Sequence, residues 1–187
     1  VGQPKGAGVP LRTTAIVGQR ITGQGTGTND TVYEVFSADD VAALCGVGSA
    51  AHRMAYHYLA EDKTPQQLLV VPIADAGGSA AGTKTLTFTF SSGATLTASG
   101  TVNFLIDGQS LKVNVTAGMS LIDIGKAVED AIGKDEAGAV ALGSMLPVTC
   151  AATAGAIAFT SRNLGALAND IRILVNYNGP AAGEALP

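Results

Sequence analysis

The chain has 187 residues, of which 47% are hydrophobic and only 14% are charged, and its formal net charge is −4. This hydrophobic content excludes global disorder, and the lack of a Lys/Arg cluster argues against a nucleic-acid groove, which needs several cations on one face. No apolar run approaches the ~20 residues of a membrane span, so we expect neither a nucleic acid nor a membrane as a partner.

Two apolar segments predict strands of one small sheet. Residues 12–18 are expected to form a short buried strand, and residues 67–73 are a continuous apolar run, which is the pattern of a strand buried on both faces. Pro72 has no amide to donate, so it is expected at a strand end or at a sheet edge. Residues 32–36 alternate in polarity and predict a further short strand.

Two helices are predicted between the first strand and the apolar run. Ser37 is a typical N-cap for a short helix over 41–45, which Gly46 ends. Ser49 caps a longer helix that is expected to end near Asp62. The order strand, helix, helix, strand predicts a small βααβ core module.

The longer helix contains both histidines of the chain. His52 and His57 are five residues apart, so their rings are expected to point about 140° away from each other, whereas a metal-binding pair on a helix needs a spacing of four. Arg53 and His57 do have that spacing, and we expect them to form a solvated or subunit-facing edge.

A glycine-rich segment, residues 21–30, follows the first strand. Its Gly23-Gln-Gly25-Thr-Gly27 run is similar to a phosphate-binding loop, but the known Gly-rich motifs are absent and no helix begins directly after it. We therefore expect a flexible or interface-forming loop without an anion site.

The pattern changes after residues 74–82, whose composition predicts a linker. Residues 85–90 alternate strictly with Thr outward, and residues 102–106 and 111–115 predict a β-hairpin. Asp107-Gly108 lies at the reversal point, where Gly tolerates the positive φ of a tight turn.

A single helix follows this hairpin. Ser120 is expected to cap it, with Asp123 in its first turn. Its apolar stripe is predicted to consist of Leu121, Ile124, Gly125, Val128, Ala131 and Ile132.

Another hairpin is predicted over 148–152 and 156–161, followed by a loop over 162–169 and a last strand over 171–176 that could pair with either part of the chain. The predicted fold class is therefore α/β plus α+β: a βααβ core module with an inserted, mostly antiparallel β module that carries one helix.

The predicted domains are residues 1–76 with 170–187, and an inserted module over residues 82–165. Gly- and Pro-rich residues 1–10 predict a loosely held arm. The ends of the chain predict no regular structure, and we expect it to be a fragment of something longer.

Cys45 and Cys150 lie far apart in apolar settings. They could form a disulfide or supply a nucleophile, but we favour two buried thiols that pack as small hydrophobic side chains. Reduced thiols fit a protein that folds in the cytoplasm.

The sequence offers no arrangement for catalysis. A nucleophile needs a neighbouring base, and the G-x-S-x-G motif is absent. Asp39, Asp40 and Asp123 lie at predicted helix starts, where acids are ordinary caps. We predict that the chain is not an enzyme, with no catalytic, cofactor-binding or metal-binding residues and no cofactor.

Several motifs in order resemble the N-terminal part of contractile-tail sheath proteins of Mu-like bacteriophages, and the resemblance covers most of the chain. Ala168 stands where the family pattern would place Gly. The motifs are Ala15-Ile-Val-Gly18, Ser37-Ala-Asp-Asp-Val-Ala-Ala-Leu-Cys-Gly46 followed by Gly48-Ser49, Leu68-Leu-Val-Val-Pro-Ile73, Thr160-Ser-Arg-Asn-Leu-Gly165 and Asn169-Asp170-Ile171.

This resemblance implies a structural subunit of a helical sheath that wraps around a tail tube and contracts during infection. The implied partners are neighbouring sheath subunits, the tail tube protein and the baseplate, and the implied locations are the virion tail and, during assembly, the host cytoplasm. Family members are longer and exchange terminal strands with neighbours, so we expect this core fragment to be monomeric alone, with the 82–165 module facing outward.

The alternative is a carbohydrate- or ligand-binding β module similar to an adhesin. Such sites stack sugars on exposed aromatic rings, and the chain has no Trp, only four Tyr and only five Phe. The low charge requires a surface rich in Thr, Ser, Asn, Gly and Ala, which is typical of surfaces that an assembly covers.

Overall fold

The computed structural model describes residues 12–61, 67–75, 78, 80–87, 95–133, 145–153 and 156–179. The predicted arm at 1–10 lies outside the described residues, as do the end of the alternating segment at 88–90, residues 76, 77 and 79 of the predicted linker, and the chain beyond 179. In the described part the chain is a mixed α/β protein with three α-helices and three small sheets.

The first sheet contains β1 (Thr13–Gln19), β2 (Tyr33–Val35) and β3 (Gln67–Ile73) in the order β1-β3-β2. β1 runs parallel to β3 along its whole length, and β2 runs antiparallel to β3. The helices α1 (Ala38–Cys45) and α2 (Ala50–Glu61) connect β2 to β3. The observed order is therefore ββααβ, because β2 intervenes in the predicted βααβ unit.

Both helices cover the same face of this sheet. A Cβ at Gly18 would lie 2.8 Å from the Cα of Ala51, so glycine at this position allows α2 to approach β1 closely. The core between helices and sheet contains Ile16, Val35, Val41, Cys45, Ala51, Ala55, Leu68 and Val70.

The second sheet contains β5 (Gly100–Ile106), β6 (Gln109–Val115) and β9 (Ile173–Val175) in the order β6-β5-β9. The predicted hairpin is confirmed: a two-residue turn joins β5 and β6, and both Asp107 (φ 49°) and Gly108 (φ 82°) have positive φ, as type I′ turns require. The last strand was grouped with residues 1–76 in the predicted domains, but β9 pairs with β5.

The third sheet contains β4 (Ala81–Thr87), β7 (Val148–Thr153) and β8 (Ala156–Leu164) in the order β4-β8-β7. The prediction of a loop over 162–169 was wrong. β8 continues to Leu164, and a 3₁₀ helix (Ala166–Asp170) follows. The sequence shows no alternation of apolar and polar residues at the end of β8, because polar side chains occupy the buried positions there.

The helix α3 (Leu121–Gly133) contacts both of these sheets. It packs closely on β7 at Gly125, where a Cβ would lie 2.9 Å from the Cβ of Ala152. The shared core contains Leu96, Val102, Phe104, Ile106, Leu111, Val113, Val115, Ile124, Val128, Ile132, Leu146, Val148, Ile157 and Phe159.

Candidate functional site

A buried asparagine connects the third sheet to the first. Asn163, 8% exposed, is near the end of β8. Its Oδ1 accepts from the amide of Ala50, the first residue of α2, at 3.0 Å. Its Nδ2 donates to the carbonyl of Arg20, just after β1, at 3.2 Å. One side chain therefore links β8 to α2 and to the end of β1. We call Asn163, its partners Ala50 and Arg20, and Asp75 the junction.

Asp75 completes the junction from the end of β3. It is 6% exposed, and its Oδ1 accepts from the backbone amide of Leu164 at 2.9 Å and from Asn163 Nδ2 at 3.4 Å. The sequence placed Asp75 in a linker, but its carboxylate is a buried contact between two sheets. Composition could not show this, because the partners lie 88 and 89 residues away in sequence.

The same segment of β8 also binds the start of β4. Ser161 Oγ accepts from the Gly82 amide at 3.0 Å and donates to the carbonyl of Asn163 at 2.8 Å. A Cβ at Gly82 would lie 2.8 Å from the Cβ of Ala168. Ala168 therefore fits here against a glycine.

A cleft of about 440 Å³ opens beside the junction, between α2, the β5–β6 turn and the 3₁₀ helix. Arg53 of α2 forms an ion pair with Asp107 of the turn, and His57 Nε2 lies 3.3 Å from Gln109 Nε2. The predicted solvated or subunit-facing edge of α2 thus contacts the second sheet of the same chain. The other lining residues are Ala50, Met54, Pro147, Asn163, Leu167, Ala168, Asp170 and Ile171.

The two histidines lie on different sides of α2. His52 is fully buried, and its Nδ1 accepts from the Gly48 amide at 3.0 Å, so the neutral ring carries its proton on Nε2. His57 is exposed. Among the described residues, no three His, Cys, Asp or Glu side chains lie together as possible metal ligands.

The glycine-rich segment directs its amides toward its own module. The amides of Thr26 and Gly27 donate to the carbonyls of Ala43 and Leu44, both at 2.9 Å. The guanidinium of Arg20 donates to carbonyl oxygens of the loop, including that of Gly27. These amides already have acceptors within the chain, so the geometry differs from that of a phosphate-binding loop.

The two cysteines are free thiols. Burial raises the pKa of Cys45 to about 11. Burial, together with the nearby negative charge of Glu129, raises the pKa of Cys150 to about 12. A thiol with such a pKa is almost entirely protonated at neutral pH and is a poor nucleophile, which agrees with the interpretation of both as packing residues.

The predicted helix caps are observed. Ser37 and Asp40 form a reciprocal capping box at the start of α1. Ser120 and Asp123 make the equivalent pair of hydrogen bonds at the start of α3. Hydrogen bonds from these caps lower the pKa of Asp40 and that of Asp123. Both carboxylates therefore act as capping groups at the ends of helices.

The first sheet has a second surface of interest, which α1 and α2 do not cover. Alternate side chains of its strands point away from the helices, and several are exposed apolar groups. We call this surface the open face; it comprises Thr13, Ala15, Val17, Glu34, Gln67, Leu69, Val71 and Ile73. The prediction that β3 is buried on both faces was wrong for the isolated chain, since Ile73 is 37% exposed.

The chain matches none of the protein-family models and none of the curated proteins with which it was compared. None of the described helices is both long enough and apolar enough to span a membrane.

Proposed function

We propose that this chain is a structural subunit of a contractile tail sheath of the kind found in Mu-like bacteriophages. It would assemble helically with neighbouring copies around the tail tube, connect to the baseplate, and move as the sheath contracts during infection. Its place is the virion tail, after assembly in the host cytoplasm. A catalytic role is no part of this proposal.

The observation that carries the proposal is the junction. The segment Thr160–Gly165 is one of the motifs that resemble the sheath family, and it supplies Asn163, which bonds to Ala50 and Arg20. Asp75 bonds to the same segment. A contracting sheath needs subunits that move as rigid bodies while their interfaces change, and buried hydrogen bonds between sheets favour such rigidity.

Other motif residues also serve structure in this chain. Ser37 and Asp40 cap α1, and Gly46, with φ 92°, ends it. Ser49 Oγ accepts from the His52 amide at the start of α2. The motifs behind the resemblance are thus caps, turns and packing contacts, as a structural subunit requires.

Deletion of the gene for this chain in its phage tests the proposal. We expect the particles to keep a bare tail tube but to lack a sheath by negative-stain electron microscopy, and the wild-type gene in trans to restore it. A matched variant, Asn114→Ala on the polar outer side of β6, should restore the sheath equally well. Normal sheathed tails in the deletion strain would contradict the proposal.

The cleft favours ligand binding as a second candidate. Its volume of about 440 Å³ falls in the range of small-molecule sites, and it combines the Arg53–Asp107 ion pair with the half-exposed side chains of Met54 and Leu167. A glycan array and a ligand screen by NMR would test it: shifts centred on Arg53 and Leu167 support binding, and no hits in either assay contradict it.

A further inference from the structure

We propose that the cleft between α2, the β5–β6 turn and the 3₁₀ helix binds a small organic cation, namely an amine with an apolar body. The ammonium group pairs with the carboxylate of Asp170, and the apolar body packs on Met54 and Leu167. This inference rests on the second candidate function, ligand binding in the cleft, and names the chemical class of the ligand.

Hydrogen bonds hold the walls of the cleft in place. The Ala50 amide at the start of α2 donates to Asn163 Oδ1 at 3.0 Å. The carbonyl of Pro147, which also lines the cleft, accepts from a β8 amide at 2.8 Å. The Asp107 amide of the turn donates to the carbonyl of Arg172, just after the 3₁₀ helix, at 2.9 Å. A ligand therefore meets a preformed site, and little binding free energy is lost in ordering its walls.

Apolar side chains form much of the lining. Met54 is 48% exposed and Leu167 is 50% exposed, and Pro147, Ala168 and Ile171 extend this surface. Burial of apolar surface supplies affinity but has no direction. The few charged groups of the lining therefore decide which head group the ligand carries.

The charged groups favour a cationic head group. Arg53 is ion-paired with Asp107, and the Arg53 side chain is only 21% exposed, so an anionic ligand has to displace an existing partner. Asp170 is exposed and ends the 3₁₀ helix, and within the described part of the chain no cation pairs with it. With His57 counted as neutral, the lining has one negative charge without an opposite partner, which attracts an ammonium group.

A smaller hollow serves as an internal control. It measures about 250 Å³, shares Ala168 and Ile171 with the cleft, and has no charged residue in its lining. A probe that binds there should shift the amide resonances of Thr83 and Ser161, whereas a probe in the cleft should shift that of Ala50. Affinity for this hollow should not depend on the charge of the probe.

Amide NMR titrations of the whole chain with phenethylamine, phenethyl alcohol and hydrocinnamate test the proposal, because these probes share an apolar body and differ in charge. We expect phenethylamine to bind with a Kd of about 1 mM and to shift the amides of Ala50, Asp107 and Leu167. It should bind about threefold to fivefold more tightly than the alcohol, and hydrocinnamate should bind most weakly. The preference for the amine should fall as the salt concentration rises to about 1 M.

Two pairs of variants separate the head group from the apolar body. Asp170→Asn should remove the preference for the amine and leave the Kd of the alcohol within about twofold, whereas Asp39→Asn, which removes the same charge from α1, should keep the preference. Leu167→Ala should weaken all three probes at least about twofold. Ile122→Ala, which truncates a side chain of similar exposure (49%) on α3, should weaken none of them.

The possible failures are distinguishable. If no probe shifts the amides of the cleft, ligand binding in the cleft is contradicted together with this inference. If the probes bind in the cleft irrespective of charge, or if Asp170→Asn keeps the preference for the amine, the cleft remains a binding site but the assignment of an organic cation is overturned. The proposed sheath function does not depend on either result.

Discussion

β3 and β6 bury alternate residues in the same way, yet their outward sides have opposite chemistry. On β6 the outward residues include Lys112 and Asn114, and on β3 they include Leu69 and Val71. Alternation shows only that one face is buried inside the chain. The outward residues of β6 are exposed to water, whereas Leu69 and Val71 on the outward side of β3 are apolar and only partly buried within the chain.

The two regions that contain these strands also differ in how completely their cores are closed. The first region is the first sheet with α1 and α2, and the second region is the other two sheets with α3. In the second region α3 packs against both sheets, and the core contains two phenylalanines, Phe104 and Phe159, whose ring centroids are 6.0 Å apart. In the first region two helices cover one side of a single sheet, and the core side chains are smaller. We therefore expect the second region to contribute more to the free energy of unfolding.

The largest expected effect is the loss of an aromatic ring from the closed core. Phe104→Ala removes a side chain that is 0% exposed and should lower the free energy of unfolding by about 3–5 kcal/mol in urea denaturation. Phe36→Ala is the matched control, because the ring of Phe36 is 81% exposed. It should change stability by less than about 0.5 kcal/mol at micromolar concentration.

The control variant Phe36→Ala can by itself contradict the comparison between a closed core and an exposed ring. If Phe36→Ala destabilises the dilute monomer by more than about 1 kcal/mol, the ring of Phe36 is covered within the free chain.

The next largest effect is expected where the two regions meet. Asn163→Ala should cost about 1–3 kcal/mol, because it leaves the Ala50 amide and the Arg20 carbonyl without partners in a partly buried place. The Ala50 amide should also lose protection against hydrogen exchange. Asn114→Ala, which removes an exposed hydrogen bond to Thr101, should cost less than about 0.5 kcal/mol. Equal losses for the two variants would show that the junction does not couple the regions.

Local signals explain why much of the fold could be predicted from the sequence. The capping boxes at Ser37 and Ser120 and the Asp107-Gly108 turn each depend on residues a few positions apart. Alternation located β6 for the same reason. The helices and hairpins were therefore predicted within a few residues of their observed bounds.

The junction could not be predicted, because its chemistry is polar and its partners are distant. Ser161 and Asn163 occupy buried positions of β8, and polar residues in an alternating pattern indicate a loop when only the sequence is known. The pairing of β9 with β5 likewise depends on contacts far apart in the chain. The apolar outward side of β3 was visible in the sequence, but the sequence could not say that α1 and α2 leave it uncovered.

A comparison of two glycines tests how tightly each region holds its helix. Gly18→Ala and Gly125→Ala should each destabilise by about 1–3 kcal/mol through overpacking. At Gly125 the close contact is the Cβ of Ala152, with the next atoms at 4.0 Å, so Ala152→Gly should rescue the variant. At Gly18 the backbone Cα and N of Ala51 are also close, at 2.8 and 3.0 Å, so Ala51→Gly should not.

A double-mutant cycle in urea measures both rescues. The expected coupling energy is large for Gly125 with Ala152 and small for Gly18 with Ala51. Rescue at both sites would mean that α2 can shift away from β1 as easily as a side chain can move, and that the first region is less rigid than the second.

The smallest expected effect concerns the capping acids, one in each region. Asp40 Oδ2 accepts from the amides of Phe36 and Ser37, both at 2.9 Å, and the Phe36 amide is the main cause of the lowered pKa of Asp40. For Asp123 the hydroxyl of Ser120 is the main cause. Since both pKa values are lower in the folded chain, the stabilisation is present above the unfolded value of about 3.9 and is lost as the pH falls through the folded pKa.

Urea midpoints measured from neutral pH down through this range should therefore fall more for wild type than for Asp40→Asn, which at neutral pH should cost less than about 1 kcal/mol. Asp123→Asn should show the same direction of change. Asp39→Asn is the matched control, because Asp39 lies in the first turn of α1 but is not the residue of the capping box. If Asp39→Asn reduced the pH dependence as much as Asp40→Asn, the general field of the helix, and not the hydrogen bonds to Phe36 and Ser37, would be the source of the acid sensitivity.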